Sequence, residues 1–465
     1  MPDDEVDPDD AVDPVAVRPR PLRRAVLRGG AVVTAVVALL VAGGLVAAHR
    51  IHRLQPPPVV RTSLAASRTV PGTPPVLPWP PTGQAAVAVP ALGIALTSGP
   101  EVPVPIASLT KMTTAVVVLR DHPVAPGSDG PSLTVTAADV AVYEADLSKD
   151  ESTVAVRVGE VLTERQALEG LLTQSANNLA YVLAVWDAGS QAAFVTKMNV
   201  LAATLGMTES HYTDASGFAA TSVSSAADCL KMAVAGMAIP TFAEVVSLTS
   251  VTLPVVGTVA NIVTQIGSDG VIGIKSGFTA QAGGCMVLAA DREVGGRRVL
   301  VIAAVLGQPV PPAVAVAAPV APSSVAPATG VGSNTTTITT PTTIPYIPDP
   351  LRYAGPAAEA LLSAAEAGAT PVVVAVPGGT VARAVTVWGG AGHSVAVVTS
   401  AGATLLAWPG QAVRSVPVVH VPPGARRGES VGSVRYVLGL QSVASPLRLA
   451  APLPEPNWWW RLVHR

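Results

Sequence analysis

The sequence at residues 105–111 reads Pro105-Ile106-Ala107-Ser108-Leu109-Thr110-Lys111. The i, i+3 spacing of Ser108 and Lys111 brings a hydroxyl and an amine to the same face of a helix. A serine is a weak nucleophile until a base accepts its proton, and a desolvated lysine can act as that base. The pattern indicates a serine nucleophile, although a chance match would leave Lys111 as a solvated side chain after a helix N-terminal serine.

Two further motifs follow along the chain. Ser175-Ala176-Asn177 lies where one helical pattern ends, at Leu172, and another begins. Lys275-Ser276-Gly277 follows the apolar, strand-like run Val271 to Ile274 and precedes Phe278. The order S-x-x-K, S-x-N-like and K-T-G-like is the signature of penicillin-binding proteins and class A β-lactamases. The three motifs together predict an active-site serine enzyme.

Residues 85–307 resemble the D-alanyl-D-alanine carboxypeptidases of the low-molecular-mass penicillin-binding group. The likeness includes Met112 to Ala115 after the first motif, the stretch His211 to Phe218, and Ala282 to Cys285 after the third. The resemblance implies a serine β-lactamase/transpeptidase-like catalytic domain of α/β (α+β) class. It also implies a reaction that passes through an acyl-enzyme on Ser108.

The resemblance assigns catalytic roles to residues of the first two motifs. Ser108 would be the nucleophile and Lys111 its base. Ser175 would relay a proton to the leaving D-alanine. Asn177 would bind the substrate amide.

The third motif would bind the end of the substrate. Lys275 and the Ser276 hydroxyl would bind the terminal carboxylate, and Gly277 belongs to the same substrate-binding strand. The backbone N–H groups of Ser108 and Phe278 would form an oxyanion hole, whose donors are typically worth a few kcal/mol of barrier. The family usually has threonine at the position of Ser276, so the hydroxyl is kept and a methyl group is lost.

The implied function is removal of the terminal D-alanine from peptidoglycan stem pentapeptides, with β-lactam antibiotics as covalent inhibitors. A peptidoglycan DD-endopeptidase with the same motifs stays open. So does a β-lactam sensor or wall-binding module that acylates without turnover. A class A β-lactamase is disfavoured because Ala176 occupies the middle of the second motif, where those enzymes have aspartate.

The N-terminal region predicts a single transmembrane helix. Residues 1–28 begin as an acidic tail, predicted to be disordered, and end with five arginines; the uncharged residues 29–48 would span a hydrocarbon core as a helix. By the positive-inside rule the tail stays in the cytoplasm and the enzyme lies outside, although Arg50 and Arg53 weaken the contrast. Val46-Ala47-Ala48 leaves a cleaved signal peptide as the alternative.

Composition divides the remainder into blocks. Proline-rich residues 49–84 predict an extended spacer, and the Pro/Ala/Thr-rich residues 308–350 predict a second linker. Residues 85–307 alternate strands with helical patterns, which indicates a mixed α/β domain. After a short helical stretch, residues 351–465 carry valine-rich runs between glycine and proline turns, which predicts a small all-β domain.

Several classes of function have no support in the sequence. A net charge of −2 with 13% charged residues provides no basic surface for nucleic acid. Cys229 and Cys285 lack a metal-binding spacing, and no cofactor motif is present; the two thiols are either bridged or buried as small apolar side chains. The tail Trp458-Trp459-Trp460-Arg461 is either an interfacial membrane contact or a packed end-piece of the β domain.

Overall fold

The structure is a computed structural model that describes residues 22–53, 58–309, 350–388 and 391–463. The predicted tail as far as residue 21, and the predicted linker 308–350 except for its ends, lie outside these residues. The helices of the described part are α1 (Leu22–Arg53), α2 (Thr110–Asp121), α3 (Ala137–Leu147), α4 (Glu164–Thr173), α5 (Asn177–Ala188), α6 (Gln191–Thr204), α7 (Ala226–Met237), α8 (Pro240–Val246), α9 (Leu351–Gly368) and α10 (Trp458–Val463).

The strands of the same residues fall into a central sheet, a C-terminal sheet and four short ribbons. They are β1 (Val59–Thr62), β2 (Ser67–Thr69), β3 (Gln84–Val89), β4 (Ile94–Thr97), β5 (Val104–Pro105), β6 (Ser132–Thr134), β7 (Val161–Thr163), β8 (Val223–Ser224), β9 (Ser250–Leu253), β10 (Gly257–Ala260), β11 (Val271–Thr279), β12 (Gly283–Val294), β13 (Arg297–Gln308), β14 (Thr370–Ala375), β15 (Thr380–Trp388), β16 (Ala391–Thr399), β17 (Ala403–Ala407), β18 (Ala412–Val419), β19 (Ser430–Leu438) and β20 (Gln441–Leu449).

The central sheet is antiparallel, in the order β11-β12-β13-β3-β4. Its strands are apolar on both faces, because alternate side chains enter two different cores. Ala86 and Ala88 of β3 join the cluster that contains helices α2, α4, α5 and α7. Val87 and Val89 join a second cluster on the opposite face. The sequence has continuous apolar runs at residues 85–89 and 299–306, and the structure pairs the two strands that contain them, β3 and β13, with each other.

Helix α9 corrects the predicted boundary of the β domain. The sequence prediction placed residues 351–465 in one C-terminal domain, but α9 packs against β12 and β13 of the central sheet. Its apolar stripe, which includes Leu361 and Ala365, shares a buried cluster with Leu288 and Val301 of that sheet. A half-exposed apolar sheet face needs a covering layer. The helix that provides it lies beyond the second linker, where local pattern could not reveal its partner.

The predicted spacer 49–84 also needs correction. Its residues Val59–Thr62 and Ser67–Thr69 form the two edge strands of the C-terminal sheet, whose order is β1-β15-β16-β20-β19-β18-β2. Both segments lack proline, so their N–H groups are available to pair with an open sheet edge. The high proline content of residues 49–84 as a whole predicted a spacer, and the two short strands within it were not recognised. The C-terminal region is otherwise β-rich, as predicted, and the overall α/β class agrees with the prediction.

The two ends of the described chain meet. Within α1, Gly30–Ile51 is long and apolar enough to cross a membrane. Helix α10 lies beside the end of α1, and the Arg461 Nη1 atom donates a hydrogen bond of 3.1 Å to the backbone oxygen of Ile51. Trp458 and Trp459 remain 62% and 57% exposed. The tail is therefore a helical end-piece that packs against α1 and still presents two indoles to its surroundings.

The two cysteines are free and buried, Cys229 on α7 and Cys285 on β12. Burial raises the pKa of both thiols, which disfavours the thiolate. Of the two interpretations left open by the sequence, the structure shows the unpaired one.

Candidate active site

The nucleophile motif spans a change of helix type. Ala107–Leu109 forms a 3₁₀ turn that runs directly into α2. Ala107 has φ of 48°, a left-handed conformation that is costly for a residue with a Cβ and that is often found next to functional groups. Ser108 lines a cavity, whereas Lys111, one turn later, is fully buried. The predicted pair is in contact: Lys111 Nζ lies 2.8 Å from Ser108 Oγ.

Two further contacts orient the Lys111 amine. Its Nζ donates to Asn177 Oδ1 at 2.5 Å and to the backbone oxygen of Ser216 at 2.8 Å. Amide and backbone oxygens can only accept hydrogen bonds. In the neutral amine, both N–H bonds therefore point at these two oxygens, and the lone pair points at the Ser108 hydroxyl. This is the geometry a general base needs.

The environment also favours the neutral amine. Burial lowers the pKa of Lys111 from 10.5 to about 7, and the negative charges of Asp214, Glu151 and Asp146 partly oppose that shift. A lysine with a pKa near 7 is partly deprotonated at neutral pH. It can therefore accept the serine proton without a large unfavourable step.

The second motif lies at the break between α4 and α5. Helix α4 begins at a capping box between Thr163 and Gln166 and ends at Thr173, and α5 begins at Asn177. Between them Ser175 has φ of 60° and is only 2% exposed, yet it lines the cavity. The break thus places Ser175 and Asn177 in the lining of the cavity that also contains Ser108.

The third motif forms the opposite wall through β11. Ser276, Gly277 and Phe278 line the cavity. The Ser276 hydroxyl oxygen is buried and has no hydrogen-bond partner among the described residues, which leaves it for a ligand. A Cβ at Gly277 would lie 3.0 Å from the Ser108 backbone nitrogen, so glycine permits the strand to approach the nucleophile closely.

Lys275 lies behind this wall. Its side chain is fully buried, and its Nζ donates to the backbone oxygen of Ser276 at 2.9 Å. Burial lowers the pKa of Lys275 well below 10.5, and the charge of Lys111 lowers it further. Direct binding of the substrate carboxylate by Lys275 stays a prediction, which is supported by the position of the Lys275 amine beside Ser276. A carboxylate bound at the Ser276 hydroxyl would favour the charged form of the lysine.

A hydrogen-bonded turn around Asp214 fixes the backbone next to Lys111. The Asp214 carboxylate accepts hydrogen bonds from the Ser222 hydroxyl at 2.5 Å and from the backbone N–H groups of Gly217 and Phe218 at 2.9 and 3.0 Å. The turn holds Ser216, whose oxygen receives the Lys111 bond. These contacts make Asp214 a structural residue of the turn.

The motifs enclose one cavity of about 370 Å³. Its lining also includes residues outside the three motifs, among them Asp150, Glu151, Ser152 and Gln174. The first three belong to the loop between α3 and β7, which has no periodicity and no recognisable motif. Only its charges, Lys149, Asp150 and Glu151, set it apart in the sequence.

The fold is that of the penicillin-binding proteins. The crystal structure of penicillin binding protein 5 from Haemophilus influenzae aligns with a TM-score of 0.51, covering 82% of this chain and 99% of that one at 17% identity, a likeness of fold. Residues 93–309 match the sequence profile described as D-alanyl-D-alanine carboxypeptidase. This part of the chain belongs to the D-alanyl-D-alanine carboxypeptidase family.

Two curated relatives carry different activity names. The chain is 39% identical over 181 residues to D-alanyl-D-alanine carboxypeptidase DacB2 of Mycobacterium tuberculosis, covering 37% of this chain and 60% of that protein. It is 32% identical over 145 residues to the D-alanyl-D-alanine endopeptidase of Pseudomonas aeruginosa, covering 31% and 44%. The chain spans about half the length of the curated relatives it matches.

Proposed function

We propose that the chain is a membrane-anchored serine D-Ala-D-Ala carboxypeptidase of peptidoglycan stem peptides. One observation carries the proposal: a buried Lys111 amine, with its lone pair directed by two carbonyl oxygens, lies 2.8 Å from the Ser108 hydroxyl in an open cavity. The family match and the relative named as a carboxypeptidase support the substrate class.

The first half of the proposed reaction forms an acyl-enzyme. Ser108 Oγ attacks the carbonyl carbon of the penultimate D-alanine while its proton passes to Lys111. The negative charge on the carbonyl oxygen meets the backbone N–H groups of Ser108 and Phe278. The C–N bond then breaks, and the amine of the terminal D-alanine takes a proton relayed through Ser175.

In the second half, water attacks the carbonyl carbon of the ester. Lys111 accepts a proton from this water and passes it to Ser108 Oγ, so that the free serine is restored and the shortened peptide leaves. Asn177 binds the substrate amide during both steps. A β-lactam enters by the same attack, but its ring opens without losing a fragment, so the acyl-enzyme persists as a covalent inhibitor complex. The reaction needs no metal or cofactor in this scheme, since Lys111 supplies the base and backbone N–H groups stabilise the oxyanion.

The endopeptidase remains the second candidate because a relative bears that name. The two activities differ at the group that follows the scissile bond. A carboxypeptidase meets a free carboxylate there, whereas an endopeptidase must accept a further peptide bond. The unpartnered Ser276 hydroxyl with Lys275 behind it favours a carboxylate, because a cation and a hydroxyl together recognise that group well.

Amidation of the terminal D-alanine tests this choice. The amide removes the charge that Lys275 would pair with, and loss of such a bond costs on the order of 2–4 kcal/mol in a desolvated site. We expect kcat/KM to fall by about two orders of magnitude or more. In Lys275→Gln, checked for folding by thermal melting, the free acid and the amide should become similarly poor substrates. Equal wild-type rates on the two would instead indicate the endopeptidase.

The proposed anchor is the apolar segment of α1, with the enzyme on the outer side. Support comes from the hydropathy of Gly30–Ile51 and from the position of α10 beside the end of that segment. Tryptophan favours the interfacial layer of a bilayer. The exposed Trp458 and Trp459 would therefore contact the membrane surface next to the point where α1 leaves it.

Protease accessibility tests the orientation. If residues 49–465 lie outside the cytoplasm, protease added to intact protoplasts should degrade the catalytic domain, while a cytoplasmic marker protein stays intact. Protection of the domain until the cells are lysed would contradict the orientation. It would also contradict access to peptidoglycan.

A further inference from the structure

A buried carboxylate beside the site has no place in the three motifs. Glu151 lines the cavity, and its side chain is only 4% exposed. Its Oε2 atom accepts a hydrogen bond of 2.6 Å from Asn177 Nδ2, and its Oε1 atom lies 3.6 Å from the Nζ of the exposed Lys149. An exposed ion pair contributes little to the free energy of folding. The bond to Asn177 is therefore the main contact of this carboxylate.

The Asn177 amide is held between a hydrogen-bond donor, the Lys111 amine, and a hydrogen-bond acceptor, the Glu151 carboxylate. Its oxygen faces the amine of Lys111 at 2.5 Å, and its nitrogen faces the carboxylate of Glu151. Turning the amide over would place its NH₂ group against the lysine and its oxygen against the carboxylate, and both contacts would be repulsive. Glu151 thus fixes the orientation of the amide. The nitrogen carries a second hydrogen, which is left for the substrate.

We propose that Glu151 is a positioning residue for acylation. By holding the Asn177 amide in one orientation, it keeps the Asn177 oxygen on Lys111 and the lone pair of that amine on Ser108. Glu151 itself exchanges no proton and touches no reacting atom. The inference rests on the proposed function, because it concerns how the Ser108 and Lys111 pair is prepared for attack.

The charge of Glu151 has a separate, measurable effect. Four titratable groups interact electrostatically with the Lys111 amine: Asp146 on α3, Glu151 on the following loop, Asp214 on the turn, and Lys275 on β11. The three carboxylates raise the pKa of Lys111, against the larger lowering caused by burial. Removal of the Glu151 charge therefore lowers that pKa. The neutral amine would then persist to lower pH.

Two substitutions separate orientation from charge. Glu151→Ala removes both, so the plateau rate of acylation by a labelled penicillin should fall about 10- to 100-fold, as for other groups that orient a reacting residue. Glu151→Gln can still accept the Asn177 bond but carries no charge. Its plateau rate should stay within a few-fold of wild type, while the acid limb of the pH–rate profile moves to lower pH.

The control is Glu144→Gln, which removes an exposed carboxylate from α3 and should leave rate and profile unchanged. All variants are measured as the full chain in detergent, with thermal melting to confirm folding. A purely structural role would lower the melting temperature and leave the acid limb in place. The inference would be overturned if Glu151→Ala had the same plateau rate of acylation as the wild type, or if the acid limb of the pH–rate profile did not move in Glu151→Gln. Either result would leave the proposed function intact. A wild-type chain that is never acylated would overturn the proposed function and this inference with it.

Discussion

Replacing Ser108 by alanine is expected to abolish covalent labelling by penicillin and to reduce peptide hydrolysis by at least about 10³-fold, because no other step of the scheme can proceed without the acyl-enzyme. Several serines line the cavity, but within the described part of the chain Ser108 is the one whose Oγ lies within hydrogen-bond distance of a lysine amine. Intact-mass spectrometry should show one adduct on the wild type and none on the variant.

The matched control is Ser148→Ala, which removes an exposed hydroxyl at the end of α3 that bonds only to the nearby backbone. This control should label as the wild type does. Stoichiometric labelling of a folded Ser108→Ala variant would show that another residue is the nucleophile. Because the measurement follows the adduct itself, that conclusion does not depend on knowing the natural peptide.

Replacing Lys111 by methionine should have the second large effect. The substitution keeps an unbranched apolar chain in a fully buried position but removes the base, and a general base typically contributes about 10²- to 10⁴-fold. We expect acylation to slow by that factor while Ser108 remains present. Lys231→Met, which removes a lysine that bonds Asp228 away from the cavity, should keep a rate close to wild type.

The wild-type pH dependence tests the same residue. Acylation requires the neutral amine, and burial lowers the pKa of Lys111 to about 7. The amine is protonated and inactive below that pKa, so the rate should rise as pH increases through about 7 and level off above it. Stopped-flow measurement of the acylation rate would show this limb. A rate that is flat from pH 5 to 9 would contradict a lysine base.

Some residues of the site could be predicted from the local sequence, and others could not. Ser108 and Lys111 are three positions apart on one helical turn, so local spacing alone predicts their contact. Ser175 and Ser276 required recognition of the motif order, since neither has a local signature. Glu151 was missed because its role depends on a contact with Asn177 made across the fold, from a loop without periodicity.

The elements of the fold, too, could be predicted from the sequence only where the pattern is local. Continuous apolar runs predicted strands such as β3 and β13, because both faces of the central sheet are buried. The covering helix α9 and the edge strands Val59–Thr62 and Ser67–Thr69 were assigned to the wrong blocks. Each of them joins a partner far away in the chain, and composition windows do not contain that information.

The carboxypeptidase activity is tested by measuring the free D-alanine released from a peptidoglycan-type pentapeptide that ends in D-Ala-D-Ala, by the full chain and by its Ser108→Ala variant. We expect one D-alanine per peptide consumed, catalytic turnover by the wild type, and no release by the variant above background. Release that is equal in the two proteins, or a wild type that binds penicillin covalently but liberates no D-alanine from the pentapeptide, would contradict the proposed activity.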